Sequence, residues 1–367
     1  MNQVGQRFRL SLFGESHGAG VGVVVDGVPP GLPLTLAALQ ADLDLRRPGT
    51  GPTSQRQETD APQVLSGLHA GRTTGAPVCV WIANRDVRSQ DYEATRRVPR
   101  PGHADWVNHV WSRGHADLRG GGHSSGRLTA PLVAAGTIAQ LVLGPEVLCA
   151  AHLHQVGGTA GPPGALDAAG LLERVPRSPV RTGHVGLEPA FLAAIEAARR
   201  GLDSVGGVVE FVAEGVPAAW GDPFFDSVES SLAHLLFAVP AVKGVEFGAG
   251  FAAARLHGSE HNDAYTVAGG RVVPASNHAG GILGGRTTGA PIRGRVAIKP
   301  ASSLPGRTQQ SVDLETLEPA ELRLTGRHDP CIAVRAVPVV QACLRIVLAD
   351  FALLARQEGH GGSAWPS

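Results

Sequence analysis

Six short clusters in this 367-residue sequence gather residue types that move protons and hold anions. Phe13-Gly14-Glu15-Ser16-His17-Gly18 sets one imidazole between glycines. A ligand can approach such backbone closely, and histidine transfers protons near neutral pH. Arg100-Pro101-Gly102-His103-Ala104-Asp105 places a histidine two residues before a carboxylate that can orient it. Arg119-Gly120-Gly121-Gly122-His123-Ser124-Ser125-Gly126-Arg127 runs into a helical stretch. Its glycines free backbone N–H groups, its serines cap or donate, and a helix N-terminus favours an anion, so the pattern suits phosphate. Ser276-Asn277-His278-Ala279-Gly280-Gly281 leads to Gly284 and Gly285. The fifth cluster is Lys299-Pro300-Ala301-Ser302-Ser303, and the sixth is Gly326-Arg327-His328-Asp329-Pro330. In the sixth, Arg327 offers phosphate a two-pronged fork and Asp329 offers a base.

Each cluster taken alone has an ordinary structural reading: a histidine in a turn, a solvated ion pair worth little, a flexible glycine loop. Six in one chain suit an anionic, phosphorylated substrate and proton transfer. Spacing alone does not name the reaction.

The elements that must position these clusters are partly legible. Val21–Val28 and Val78–Ile82 read as strands, as do 205–212, Val242–Phe251 and Arg295–Ile298. Leu36–Leu45 reads as a helix capped by Thr35. The stretch 125–143 reads as a loop feeding a helix, with Pro131 tolerated in the first turn. Ser227–Phe237 and Val339–Gln357 have helical periodicity. The segment 157–164 is rich in Gly and Pro and reads as a loop. One domain is expected over 1–357, with 358–367 a flexible tail. Gly71-Arg-Thr-Thr-Gly-Ala-Pro77 recurs as Gly285-Arg-Thr-Thr-Gly-Ala-Pro291, each before an apolar strand. Two similar strand-entry turns and two related halves of one fold both account for it.

A 43% share of hydrophobic residues supports a packed core and excludes wholesale disorder. Thirty-two basic residues balance thirty-two acidic ones, so nucleic acid is not the expected partner. The longest apolar stretch noted, Leu132–Leu143, is too short to span a bilayer, and no signal-peptide core precedes Gly14. Cys79, Cys149, Cys331 and Cys343 form no CxxC pair and no metal spacing. They read as reduced buried thiols, and the cytoplasm is the expected compartment.

Read in order, the motifs FGESHG, PPGLPL, RRPGT, RPGHAD, RGGG-SS, DSVGG, AVKGVEFG, SNHAGGILGG and GRHDPC-RAVP resemble the signatures of the chorismate synthase family. They run from about Phe8 to Leu354. The resemblance implies an α+β fold, a β-α-β sandwich of antiparallel sheets and helices, assembled as a homotetramer. It implies a 1,4-anti elimination of phosphate from 5-enolpyruvylshikimate 3-phosphate to give chorismate, in the shikimate pathway of aromatic amino acid biosynthesis. The cofactor implied is reduced FMN, supplied by an external reductant, with no net redox change.

By motif, His17 matches the histidine that protonates the leaving phosphate, and His103 the one that protonates the reduced flavin. Asp329 matches an aspartate that relays the proton at flavin N5, and Ser16 and Ser125 match hydroxyls of the same network. Flavin contacts fall on His123, Ser124, Ser125, Pro240, Ala241, Gly284, Lys299, Pro300, Ala301, Ser302, Ser303 and Arg327. Arg46 matches a basic position near substrate or NADPH, and Arg127 one that faces the substrate. The family's RGGGRSSARET reads here RGGGHSSGRLT, so His123, Gly126 and Leu128 stand for arginine, alanine and glutamate. The arginine that follows RRPG in the family is absent from 50–55. These departures leave room for a paralogue acting on a modified shikimate-type phosphate, or a catalytically silent flavin-binding homologue.

Overall fold

In the computed structural model, residues 2–47, 59–85, 93–324 and 329–357 are described. Two five-stranded sheets, antiparallel throughout, enclose helices. In spatial order the first contains Gln3–Val4, Arg9–Gly14, Gly20–Asp26, Val78–Ala83 and Pro62–Ser66. The second contains Val242–Phe247, Ile292–Ile298, Gly207–Glu214, Leu148–Val156 and Thr159–Ala160. Strand alternation turns Val21, Val23, Val25, Val78, Val80 and Ile82 of the first sheet inward, all fully buried.

Helix Thr129–Leu143 lies on that sheet and helix Ala333–Gln357 on the second, and the two helices pack against one another. They come close at Gly136, where an added Cβ would stand 2.5 Å from Ala342 Cβ. Asp350 then ties the C-terminal helix to the first sheet. Its carboxylate accepts from the N–H groups of Gln6, Arg7 and Phe8 at 2.6–2.8 Å. The segments Arg119–Leu143 and Ala333–Gln357 are long and apolar enough to cross a bilayer by composition, a length not anticipated from Leu132–Leu143 alone. In each, 83% of the apolar window is buried inside the protein. The expected sandwich of antiparallel sheets and helices is therefore present.

The repeated heptapeptide marks two related halves. The first half runs Gly20–Asp26, Leu36–Arg46, Pro62–Ser66, Val78–Ala83 and Thr129–Leu143. The second runs Gly207–Glu214, Val228–Ala238, Val242–Phe247, Ile292–Ile298 and Ala333–Gln357, with the same strand pairings. The match extends to single bonds. Thr73 Oγ1 donates to Pro29 O at 2.7 Å and accepts from Leu32 N, while Thr287 Oγ1 donates to Pro217 O at 2.6 Å and accepts from Trp220 N.

Thr35 caps its helix as expected, accepting from Ala38 N at 3.1 Å. The strand expected over Val242–Phe251 stops at Phe247, because Gly248 turns the chain with φ +55°. The last helix starts at Ala333 rather than Val339 and continues through Pro338. Proline's missing donor normally argues against a helix interior, and burial on all sides outweighs it here.

Candidate active site

A cavity of about 810 Å³ opens where the N-terminal ends of the two central helices converge. Oriented N–H groups there favour a bound anion. Sixteen of the residues singled out from the sequence line it: Ser16, His17, Arg46, His103, His123, Ser124, Ser125, Arg127, Pro240, Ala241, Lys299, Pro300, Ala301, Ser302, Ser303 and Asp329. Gly284 does not line it. It turns the hairpin of Ile282–Leu283 with Arg286–Thr287. The neighbouring His278 cluster is also elsewhere, wrapped around Asp263, whose carboxylate accepts from Ser276 Oγ and the N–H groups of His278 and Ala279. Arg327 lies outside the described residues, as does the stretch 50–55.

His17 sits in the turn between strands Arg9–Gly14 and Gly20–Asp26 and is buried, its Nδ1 3.2 Å from Ser16 Oγ. Two features hold that turn. Asn84 Nδ2 donates to Glu15 O and Gly18 O, each at 2.9 Å. Gly120, at φ +59°, lies so close that an added Cβ would be 2.3 Å from His17 Cε1.

His103 lies across the cavity. Its Nδ1 is 2.8 Å from Asp105 Oδ1, so the expected pair forms. It is no solvated surface pair: the Asp105 side chain is 1% exposed. Arg100 grips the same carboxylate with Nε and a terminal nitrogen, both at 2.7 Å. Burial alone would raise the pKa of Asp105, but the bonds from Arg100 and His103 outweigh it and hold the carboxyl well below the usual range. The turn is also pinned from the second sheet. Lys299 Nζ donates to Gly102 O at 2.6 Å, and Ser302 Oγ donates to the same oxygen at 2.7 Å.

Between these two turns lies a buried charge network. Arg46 donates to Asp60 Oδ2 at 2.9 Å, to Thr129 Oγ1 at 2.9 Å and to Gly126 O at 2.8 Å. Arg127 pairs with the other oxygen of Asp60 and donates to Asn84 Oδ1 at 2.8 Å. Arg335 donates to Asp329 Oδ2 at 2.7 Å and to the Arg46 carbonyl at 3.1 Å. Burial, reinforced by Arg335 and Arg127 and opposed by Asp60, lowers the Arg46 pKa to about 9, so it stays charged at neutral pH. Three guanidinium groups face two carboxylates, and Lys299 adds another cation at the rim.

His123 reaches the cavity wall, but its nitrogens face protein oxygens: Nδ1 is 3.0 Å from Gly14 O and Nε2 is 2.9 Å from Asn2 Oδ1. Ser125 Oγ accepts from Arg127 N at 3.3 Å, and Ser124 Oγ meets the Asn108 amide at 3.0 Å. Leu10, Leu12, Leu132, Val239, Ile298 and Ile332 add apolar surface to the same cavity. Apolar lining together with cationic groups, in a cavity within the ~300–1,000 Å³ of small-molecule sites, fits a flat ring system that carries a phosphate. At Gly121, φ +92°, a Cβ would come within 3.2 Å of His103, so the glycine keeps that face open.

Sequence reading passed over Asp60, Asn84, Arg100 and Arg335 as site residues. Arg100 and Arg335 lie inside quoted motifs without an assigned role. Asp60 and Asn84 lie in none, and only folding brings them beside Arg127.

The chorismate synthase family model matches residues 8–353. A chorismate synthase of Chitinophaga pinensis is 47% identical over 360 residues, 98% of this chain and 99% of the relative. One from Aeropyrum pernix is 47% identical over 354 residues, 96% and 93% of the two chains. A solved structure titled as the crystal structure of chorismate synthase superposes with a TM-score of 0.75 at 26% identity, covering 97% of this chain and 94% of that one. With the sandwich, the paired histidines and the cationic cavity already in place, these likenesses assign the chain to the chorismate synthase family.

Proposed function

We propose that the chain converts 5-enolpyruvylshikimate 3-phosphate to chorismate by 1,4-anti elimination of phosphate, using reduced FMN bound in the 810 Å³ cavity. The chain is thereby a carbon–oxygen lyase of aromatic amino acid biosynthesis. The observation that carries this reading is that His17 and His103, the latter held by Asp105, line one cavity with Arg46, Arg127 and Arg335. The chemistry supplied by the reduced flavin when bound is transient electron donation and uptake of the C6 hydrogen.

The chain's own residues supply the rest. His17 holds the proton that neutralises the leaving phosphate, and Ser16 Oγ fixes its Nδ1. His103 holds a proton at Nε2 for the cofactor, because Asp105 takes the Nδ1 side and sets the ring's orientation. Asp329 relays a proton while Arg335 keeps its carboxylate in place. The guanidinium cluster and Lys299 attract the two phosphates, and the apolar lining excludes water from the ring system. Pro240, Ala241 and Lys299–Ser303 edge the flavin side. For Gly284 and Arg327 the flavin role rests on motif match alone.

Assembly as a homotetramer and an external source of reduced flavin belong to the same proposal. Trp111, Phe224, Phe225 and Phe251 stand 81–92% exposed, and exposed apolar side chains of this size are ones that subunit contacts cover. The four cysteines are all free thiols, which supports a cytoplasmic location.

The test is anaerobic phosphate release from 5-enolpyruvylshikimate 3-phosphate with photoreduced FMN, oxidised FMN and no flavin. Turnover with the reduced cofactor alone is expected. Equal rates in all three would sink the mechanism, and no release in any would favour a silent homologue.

A further inference from the structure

A second cluster of chemically competent side chains lies outside the cavity. His152 and His154 stand two apart on strand Leu148–Val156, so both imidazoles project from one face. Glu210, on strand Gly207–Glu214, is the direct cross-strand partner of His152, and its Oε2 is 3.0 Å from His152 Nε2 and 3.9 Å from His154 Nδ1. His184 comes from the segment that joins the two strands. The ring-centroid distances are 4.9 Å to His152 and 5.8 Å to His154.

Three imidazoles and one carboxylate lie together here, with His152, His154 and Glu210 buried, and two of the ring nitrogens have no hydrogen bond among the described residues. His154 Nδ1 and His184 Nε2 are buried without a hydrogen bond among the described residues. An orphaned buried nitrogen is costly, and two in one cluster beside a carboxylate call for a shared partner that accepts electron pairs.

We infer that His152, His154 and His184 form a zinc-binding site, with Glu210 as the adjoining carboxylate. One ligand nitrogen from each imidazole lies within 4.8 Å of the others, the one such trio found among the described residues. An ion at the centre of the widest such triangle would stand about 2.8 Å from each nitrogen, so each ring closes by roughly 0.7 Å to reach the 2.0–2.1 Å of a Zn–N bond. Imidazole donors with a neighbouring carboxylate suit zinc, and the carboxylate both offsets the ion's charge and fixes a ring. Gly161 is shaped for the arrangement: an added Cβ would lie 2.3 Å from His184 Nε2. Glu210 Oε1 in turn accepts from Gly164 N at 2.7 Å. The ion would therefore clip the 157–184 connection to the second sheet, a stabilising role separate from the chemistry in the cavity. Cysteine spacing gives no hint of this site, because its ligands are a His-x-His on a strand and a third histidine thirty residues on.

The test uses the untagged full chain, stripped with chelator and titrated with Zn²⁺ and, as a spectroscopic probe, Co²⁺. One ion per chain is expected, with a Kd of about 1 µM or tighter. Bound Co²⁺ should show visible low-coordinate d–d bands without a thiolate charge-transfer band. At a hundredfold excess over Kd, Tm should rise by about 3–4 °C. His154→Ala and His184→Gln should each weaken binding at least about 100-fold. His184 is only half-buried, so its glutamine variant guards against a fold that fails with residue 154. Far-UV circular dichroism of the metal-free variants checks the fold. No uptake by the full chain, thiolate bands with Co²⁺, or equal uptake by wild type and both variants would overturn the site.

Discussion

Asp105 Oδ1 lies 2.8 Å from His103 Nδ1 and 2.7 Å from an Arg100 nitrogen, so one buried carboxylate both orients the histidine and neutralises the guanidinium. Removing either partner therefore has different consequences. His103→Ala should cut turnover by about 10²–10⁴-fold, the usual contribution of an acid–base group, with Tm nearly unchanged. Asp105→Asn should lower both, because it strands buried Arg100 at a cost of about 3–5 kcal/mol. Thermal melts beside single-turnover rates separate the two. A His103→Ala protein that loses Tm but keeps its rate per folded molecule would make this histidine structural.

The glycine loop yields a paired prediction. At Gly120 a Cβ would collide with His17 at 2.3 Å and φ is +59°, whereas at Gly126 an added Cβ meets nothing within 4 Å. Gly120→Ala should displace the His17 ring and reduce turnover by about 10²-fold, the scale of a 1 Å misplacement. Gly126→Ala restores the residue the family carries there and should leave activity within about twofold, with Tm unchanged or raised slightly by the lost backbone freedom of the unfolded chain. Equal losses in both variants would show that loop flexibility, not the His17 contact, is what matters.

Much of this site was legible because it is built from local turns. The His103–Asp105 bond spans two residues, the helix cap at Thr35 three, and glycines with positive φ announce themselves by type. The heptapeptide repeat was visible too, but only the matched Thr73 and Thr287 bonds and strand pairings turn it from a turn signature into two halves. What stayed hidden was long-range. Asp60 reaches Arg127 across 67 positions and Asn84 across 43, and no local periodicity encodes such a meeting. The continuation of the last helix through Pro338 was hidden for another reason: packing on both faces overrides a local preference.

The Arg46–Asp60–Arg127 network makes a stability prediction with a defined pH window. Burial would raise the Asp60 pKa, but Arg46 and Arg127 overcome it and lower it below the ordinary value. A depressed carboxyl stabilises the fold above its unfolded pKa, near 4, and the contribution is lost as pH falls through the folded value. Asp60→Asn should thus destabilise by about 3–5 kcal/mol at pH 7, by leaving two guanidinium groups buried against one another. The gap in Tm between wild type and variant should narrow as pH drops below 4. A gap that is constant from pH 7 to pH 3 would mean that the carboxylate's charge contributes nothing.

His123 is the departure from the family that bears most directly on ligand binding. An arginine there would carry a permanent charge and a fork for an anion. An imidazole changes charge between pH 5 and 8, which by itself suggests tighter anion binding at pH 6 than at pH 8. The geometry argues otherwise. Gly14 O only accepts, so Nδ1 must donate to it in either charge state. Nε2 faces the Asn2 amide, which offers an oxygen to the charged ring or, after a half-turn of the amide, an N–H to the neutral one. Both charge states are satisfied inside the protein, and neither nitrogen is left for a phosphate. FMN affinity measured by titration should therefore change less than about twofold between pH 6 and pH 8 on account of this residue, with His123→Gln following wild type. Leu128 is buried and lines the same cavity, so Leu128→Glu alone should lower Tm by burying a carboxylate in place of an apolar side chain. Tighter wild-type binding at pH 6 that disappears in His123→Gln would show that the ring turns from Gly14 and Asn2 to meet the ligand.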